Sequence, residues 1–236
     1  MNYIPLYRKY RPQKLEEVVG QEHIKKALKN AIELNKISHA YLFTGPRGTG
    51  KTSTARIFAK SLNCKEGPTI SPCGVCPNCI DITNSTPMDV IEIDAASNRK
   101  VEDAQNILER VMYAPVNSRY KIYIIDEVHM LSTTAFNALL KTLEEPPEKT
   151  LFILVSERPE KLLPTIISRT QQVRVPRLSE KEIIDGLRAS NPDMDLVTAM
   201  DMAHIADGSY LKALKMLDEN IENQQNLQQF IELMRK

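Results

Sequence analysis

A chain of 236 residues is long for one core and short for three domains, so one main domain with a small second body is expected. With 42% hydrophobic and 26% charged residues it has an ordinary globular composition, and no apolar run approaches the ~18 residues needed to cross a bilayer. The net charge of +1 gives no overall pull toward nucleic acid, so any contact with DNA falls to a local patch.

The N-terminal stretch MNYIPLYRKYRPQK lacks the apolar core of a secretory signal. A cytoplasmic protein is therefore expected, and there clustered thiols are more often metal ligands than disulfides. Strands are predicted at 40–44, 89–93, 121–125, 151–155 and 172–175, and helices at 23–34, 51–62, 101–113 and 134–145. Apolar strands alternating with helices predict an α/β fold with a parallel sheet covered on both faces. Pro176 marks a break, after which only helical patterns follow, at 180–189, 196–206, 211–221 and 226–236. The expected division is thus an α/β domain over 1–176 and a small all-α lid over 177–236.

The segment 45–52, GPRGTGKT, lies between the first strand and a helix, the context that a phosphate-binding loop requires. Gly45, Gly48 and Gly50 let backbone N–H groups approach phosphate oxygens, assisted by the positive end of the helix dipole. Pro46, Arg47, Thr49 and Ser53 complete the loop and the start of its helix. Lys51 is the group expected to reach the β- and γ-phosphates, and the Thr52 hydroxyl to ligate Mg²⁺ of a bound ATP. The third strand ends in Asp126-Glu127. Asp126 is placed to hold the magnesium and Glu127 to orient or deprotonate an attacking water. The plainer alternative is a pair of solvated acids at a strand end.

All four cysteines, Cys64, Cys73, Cys76 and Cys79, fall in one sixteen-residue window behind the phosphate loop. Four thiolates suffice for a closed tetrahedral zinc site, structural because it leaves no open position. An iron–sulfur cluster is the alternative occupant. Pro72, Gly74 and Pro77 are expected to place tight turns between the ligands.

Together RKYRP (8–12), VVGQEH (18–23), the phosphate loop, the cysteine insertion (63–80), EIDAASN (92–98), YIIDEVHMLS (123–132) and FNALLKTLEEPP (136–147) make the chain similar to the gamma/tau family of the bacterial DNA polymerase III clamp loader, an AAA+ ATPase. The resemblance implies an AAA+ P-loop NTPase fold carrying a zinc-binding insertion. It implies that Arg11, Pro12, Val18 and Val19 border the adenine and ribose. It also implies that Arg169, in Ser168-Arg169-Thr170, is an arginine finger for a neighbouring subunit's γ-phosphate, a surface arginine being the alternative. Ser97, Asn98, Arg99 and Lys100 offer donors at a helix start suited to a DNA phosphate. Ser97 or Asn98 could instead simply cap that helix.

Departures from the family pattern gather after residue 150. The polar sensor of the fourth strand falls at Ser156 or Glu157, Thr170 replaces a cysteine, and the lid motif reads GSYLKAL, with Leu211 where the second-sensor arginine is expected and Lys212 beside it. This region more closely resembles the delta-prime clamp-loader subunit. The chain ends at Lys236, before the helical collar of the family, so the chain alone is expected to be monomeric or weakly associating.

The function that the resemblance implies is a motor subunit that uses ATP binding and hydrolysis to open a sliding clamp and load it on primer–template DNA. Its partners would be delta, delta-prime and further gamma/tau copies, with polymerase activity belonging to the holoenzyme. The alternatives are a clamp-loader stator that binds ATP without efficient hydrolysis, and a different AAA+ DNA motor lacking the cysteine insertion.

Overall fold

The computed structural model describes residues 12–84, 87–96 and 114–219. The predicted helices 101–113 and 226–236 lie outside the described residues, as do Arg11 and 97–100. The described residues divide into two compact units, one of 12–46 with 50–176 and one of 47–49 with 177–219.

The first unit is built on strands β1 (Ala40–Thr44), β2 (Val90–Asp94), β3 (Lys121–Asp126), β4 (Thr150–Ser156) and β5 (Gln171–Arg174). They form one sheet in the order β2-β3-β4-β1-β5 with every pairing parallel. Its helices are α1 (Glu22–Glu33), α2 (Lys51–Asn63), α3 (Pro77–Asn84), α4 (Thr133–Glu144) and α5 (Pro164–Ser168). Burial explains the order: β1 and β4 are buried throughout and β3 nearly so, whereas the edge strands β2 and β5 carry exposed positions.

Successive residues of the central strands point to opposite faces, so each strand feeds two cores. On one side Tyr41, Phe43, Ile122, Ile124, Ile153 and Val155 pack with Ile24 and Leu28 of α1 and Ile57, Phe58 and Leu62 of α2. On the other, Leu42, Tyr123, Ile125, Phe152 and Leu154 pack with Phe136, Leu139 and Leu143 of α4 and Ile166 of α5. Tyr41 meets Phe58 edge-on at 5.0 Å, and Tyr123 stacks on Phe152 at 5.4 Å.

Two local expectations are corrected. Pro77 opens helix α3 instead of forming a tight turn, because a proline at the first helical position forfeits no hydrogen bond. The second strand begins at Val90, one residue later than predicted, and the buried Asp89 side chain binds backbone instead. Its carboxylate accepts the N–H groups of Val116, Asn117 and Ser118 at 2.8–2.9 Å, closing the approach to β3.

In the second unit, helix α6 (Glu180–Ser190) starts at a Ser179/Glu182 capping box and α7 (Leu196–Ala206) at an Asp195 cap. A helical segment follows at 210–219. Ile183, Leu187, Ala199, Met202, Ala203, Ala213 and Leu214 are buried there. The turn after α7 needs Gly208, since a Cβ at its φ of +78° would lie 2.5 Å from Arg177 Cβ. Among the described residues no helix is long and apolar enough to cross a membrane.

Burial opposes the charge on Asp89, but the three N–H donors outweigh it and hold the carboxyl below its ordinary value. Asp89→Ala, which strands those donors, is expected to cost about 3 kcal/mol in urea unfolding. The stabilisation is fully present above the unfolded-state value near ~3.9 and fades as pH falls through the lower folded value, so the gap between the two proteins closes under acid.

Candidate functional site

All five strands run the same way, so β1, β3 and β4 deliver their C-terminal ends to one edge of the sheet. Gly45, Asp126 and Ser156 meet there, in the place where open α/β sheets bind ligands. The Gly45 N–H donates to the Ser156 carbonyl at 3.3 Å, pinning the start of the phosphate loop to the end of β4. Gly45 has φ +151°, and a Cβ there would lie 2.0 Å from the Val175 carbonyl oxygen. Gly50 caps α2 in the left-handed region at φ +88°.

Lys51 is buried, and its ammonium donates to the Pro46 carbonyl at 2.7 Å, closing the loop on itself. Thr52 Oγ1 donates to Asp126 Oδ2 at 2.8 Å, and the Glu127 N–H donates to Asp126 Oδ1 at 2.9 Å. A hydroxyl and a carboxylate so placed are a hard oxygen pair of the kind that Mg²⁺ takes. Arg47 and Gly48 are exposed and Thr49 is buried, while Ser53 is half-buried on the first turn of α2. Pro12, Val18 and Val19 are half-buried, and Val18 packs on the α1–α2 face of the core. Arg11, Ser97, Asn98, Arg99 and Lys100 lie outside the described residues.

Glu127 takes a left-handed backbone, φ +50°, and leads into a 3-10 turn, Val128–Met130. Burial raises its pKa, and the like charges of Glu157 and Asp126 push it further, against the opposing pull of Lys51. Of the two sensor candidates, Ser156 is the fully buried last residue of β4 and Glu157 is the neighbour that disturbs Glu127. His129 stands 3.1 Å from Ser156 Oγ and 3.3 Å from Glu127 Oε2, both through Nδ1. Sequence reasoning passed over His129, because only the 3-10 turn brings it back onto these two groups.

Arg169 lies just before β5 and so at the opposite, N-terminal edge of the sheet. The four residues of β5 alone put roughly 13 Å between that edge and the phosphate loop. Its guanidinium pairs with Glu144 at 2.7 Å and donates to the Thr165 carbonyl at 3.0 Å. In the second unit Leu211 is half-buried and brings no donor, and the Lys212 ammonium is bound to the Ile205 carbonyl at 2.6 Å.

The four cysteine sulfurs lie within 4.8 Å of one another, close enough for one coordination sphere. Cys64 ends α2 and Cys79 rides on α3, both buried. The N–H of Cys73 points to Cys64 Sγ and that of Cys76 to Cys73 Sγ, each at 3.4 Å, a donor pattern that favours thiolates. Burial pushes the Cys79 thiol up, whereas at Cys76 backbone donors from Lys65 and Cys79 overcome burial and bring it down to about 7. Arg119, also not anticipated, clamps the carbonyls of Cys64 and Lys65. The Asn63 side chain pairs with both backbone groups of Tyr120 at 2.9 and 3.0 Å. These contacts join the cluster to the sheet through the segment leading into β3.

Residues 20–179 match the family model described as DNA polymerase III, delta subunit. The chain is 51% identical over 225 residues to the DNA polymerase III subunit tau of Bacillus subtilis (strain 168), covering 94% of this chain and 40% of that protein. It is 49% identical over 225 residues to the DNA polymerase III subunit tau of Escherichia coli (strain K12), covering 94% and 35%. The chain therefore spans about two fifths or less of the length of these curated relatives. Among solved structures, the Thermotoga maritima RuvB Holliday junction branch migration motor superposes with a TM-score of 0.62 at 23% identity, over 87% of this chain and 63% of that one. That likeness establishes the AAA+ fold alone.

Gly45→Ala and Gly50→Ala both force an alanine into a glycine backbone, but only at position 45 does the added methyl meet a carbonyl oxygen. Each is expected to lose more than about 1 kcal/mol of stability, with Gly45→Ala clearly the worse in denaturant midpoint.

Proposed function

Because this chain belongs to the family of DNA polymerase III subunits, with tau subunits among its relatives, we propose that it is an ATP-binding motor subunit of a clamp loader, using ATP binding and hydrolysis to load a sliding clamp on primed DNA. The observation that carries this reading is the meeting of Lys51, Thr52, Asp126 and Glu127 at one sheet edge, with Thr52 and Asp126 hydrogen-bonded at 2.8 Å. Lys51 exchanges the Pro46 carbonyl for phosphate oxygens, a like-for-like trade of acceptors. Thr52 and Asp126 would hold Mg²⁺, which when bound would neutralise charge on the phosphates. Glu127 accepts a proton from the attacking water, a task that its raised basicity suits.

Arg169 serves a neighbouring subunit, a role supported by its distance from this chain's own phosphate loop. Release from Glu144 would free the guanidinium to meet the neighbour's γ-phosphate. The other clamp-loader subunits, the sliding clamp and primer–template DNA are the proposed partners. The cysteine cluster takes one structural zinc, since four clustered thiol sulfurs with N–H donors around them match its preference.

A second reading, a stator that holds ATP without turning it over, is favoured by Leu211 and by the engagement of Lys212 with Ile205. In an assembled loader with clamp and primed DNA, Glu127→Gln is expected to keep ATP binding and lose at least ~100-fold in turnover. Lys51→Ala is expected to lose binding itself. Turnover and clamp loading unchanged in both variants would remove the motor reading, and wild-type binding with background turnover would establish the stator. Metal analysis should return one zinc per chain, reduced by Cys64→Ser, with chelation lowering the thermal midpoint. Iron, or a stable chain that chelators leave unchanged, would overturn the zinc assignment.

A further inference from the structure

The carboxylate oxygen Glu127 Oε2 is buried and has no hydrogen-bond donor among the described residues. A general base whose carboxylate is free to rotate would lose the alignment on which proton transfer depends. The Glu127 carboxylate meets the side chain of Glu157, another acid, whereas His129 brings a nitrogen within reach of Oε2. That residue is carried back toward β4 by the left-handed backbone of Glu127 and the 3-10 turn Val128–Met130. Its side chain is only 8% exposed, and its Nδ1 lies 3.3 Å from Glu127 Oε2 and 3.1 Å from Ser156 Oγ.

Ser156 is itself fully determined. Its hydroxyl oxygen accepts the Arg158 N–H at 3.1 Å, its carbonyl accepts the Gly45 N–H at 3.3 Å, and its backbone stands opposite Thr44 in the β1–β4 register. A continuous path of contacts therefore runs from the first residue of the phosphate loop through Ser156 and His129 to Glu127. With the hydrogen on Nδ1, rotation of the imidazole would redirect it from Ser156 Oγ to Glu127 Oε2, the two acceptors lying 3.1 and 3.3 Å from the same nitrogen. Burial, Lys161 and Arg158 all favour the neutral ring, against Glu157 and Glu160.

We propose that His129 is a positioning residue for hydrolysis, donating from Nδ1 to orient the Glu127 carboxylate and linking that orientation to the phosphate loop through Ser156. This inference rests on the hydrolytic reading above and assigns no direct contact with nucleotide to His129.

The test compares His129→Phe, which keeps a ring but removes Nδ1, with His129→Asn, whose amide returns a hydrogen-bonding atom at the same distance from the backbone. In the assembled loader, His129→Phe should lower kcat on the order of tenfold to a hundredfold with KM and ATP affinity unchanged, and His129→Asn should recover most of it. In a Glu127→Gln background His129→Phe should have no further effect. Unchanged kcat in His129→Phe, loss confined to KM, or additive loss in the double variant would overturn the proposal.

Nitrogen NMR of the His129 ring provides a readout independent of turnover. The Nδ1–H tautomer is expected, with its signal moved by Glu127→Gln. An Nε2–H tautomer, or a signal that Glu127→Gln leaves in place, would overturn the role of His129. A wild-type loader that fails to hydrolyse ATP while the NMR outcome holds would instead remove the motor reading.

Discussion

The hydrogen bond from Thr52 to Asp126 joins two segments 74 residues apart, and the site is built around it. It can form because β1 and β3 run in the same direction with β4 between them. That arrangement brings the helix start after one strand beside the carboxylate that ends the other. An antiparallel pairing at either junction would send one partner to the far edge. The direction of the sheet is therefore the constraint on which the proposed phosphate-binding, metal-binding and proton-transfer roles all depend.

That direction is secured by packing. Tyr41 and Phe43 face α1 and α2 while Leu42 faces α4, so a one-residue slip of β1 would exchange the two cores. Polar contacts hold the loops that packing cannot grip. Asp89 gathers three N–H groups before β3, Asn63 takes both backbone groups of Tyr120, and Arg119 binds the carbonyls beside Cys64. The cysteine cluster is thereby attached to the end of α2 opposite the phosphate loop. Thirteen residues of helix, about 20 Å at 1.5 Å each, separate the two. A bracing role follows from that distance more directly than any part in the chemistry.

The two edges of the sheet carry different candidate groups. The phosphate loop, Asp126-Glu127 and Ser156 lie at the ends of β1, β3 and β4, whereas Arg169 pairs with Glu144 before β5. That separation is what the proposed action of Arg169 on a neighbouring subunit requires.

Much of this was readable from the residues. Unbroken apolar runs marked the central strands because burial on both faces removes the need for polar alternation, and AYLFT was placed to the residue. The phosphate loop, the acid pair and the cysteine window were each visible as local patterns, since their chemistry demands fixed residue types at short spacing. Helix α3 was missed because its eight residues carry ligands and polar side chains in place of an amphipathic stripe. His129, Arg119 and Asn63 were missed because their meaning comes from partners 27 to 57 residues away. The sequence by itself determined the fold class and the local chemistry of each motif. Tertiary structure alone decided which strand ends share an edge, that Arg169 stands on the other one, and that a histidine lies between Glu127 and the end of β4. Those facts depend on strand order and on a left-handed turn at Glu127, and neither leaves a periodic signal along the chain.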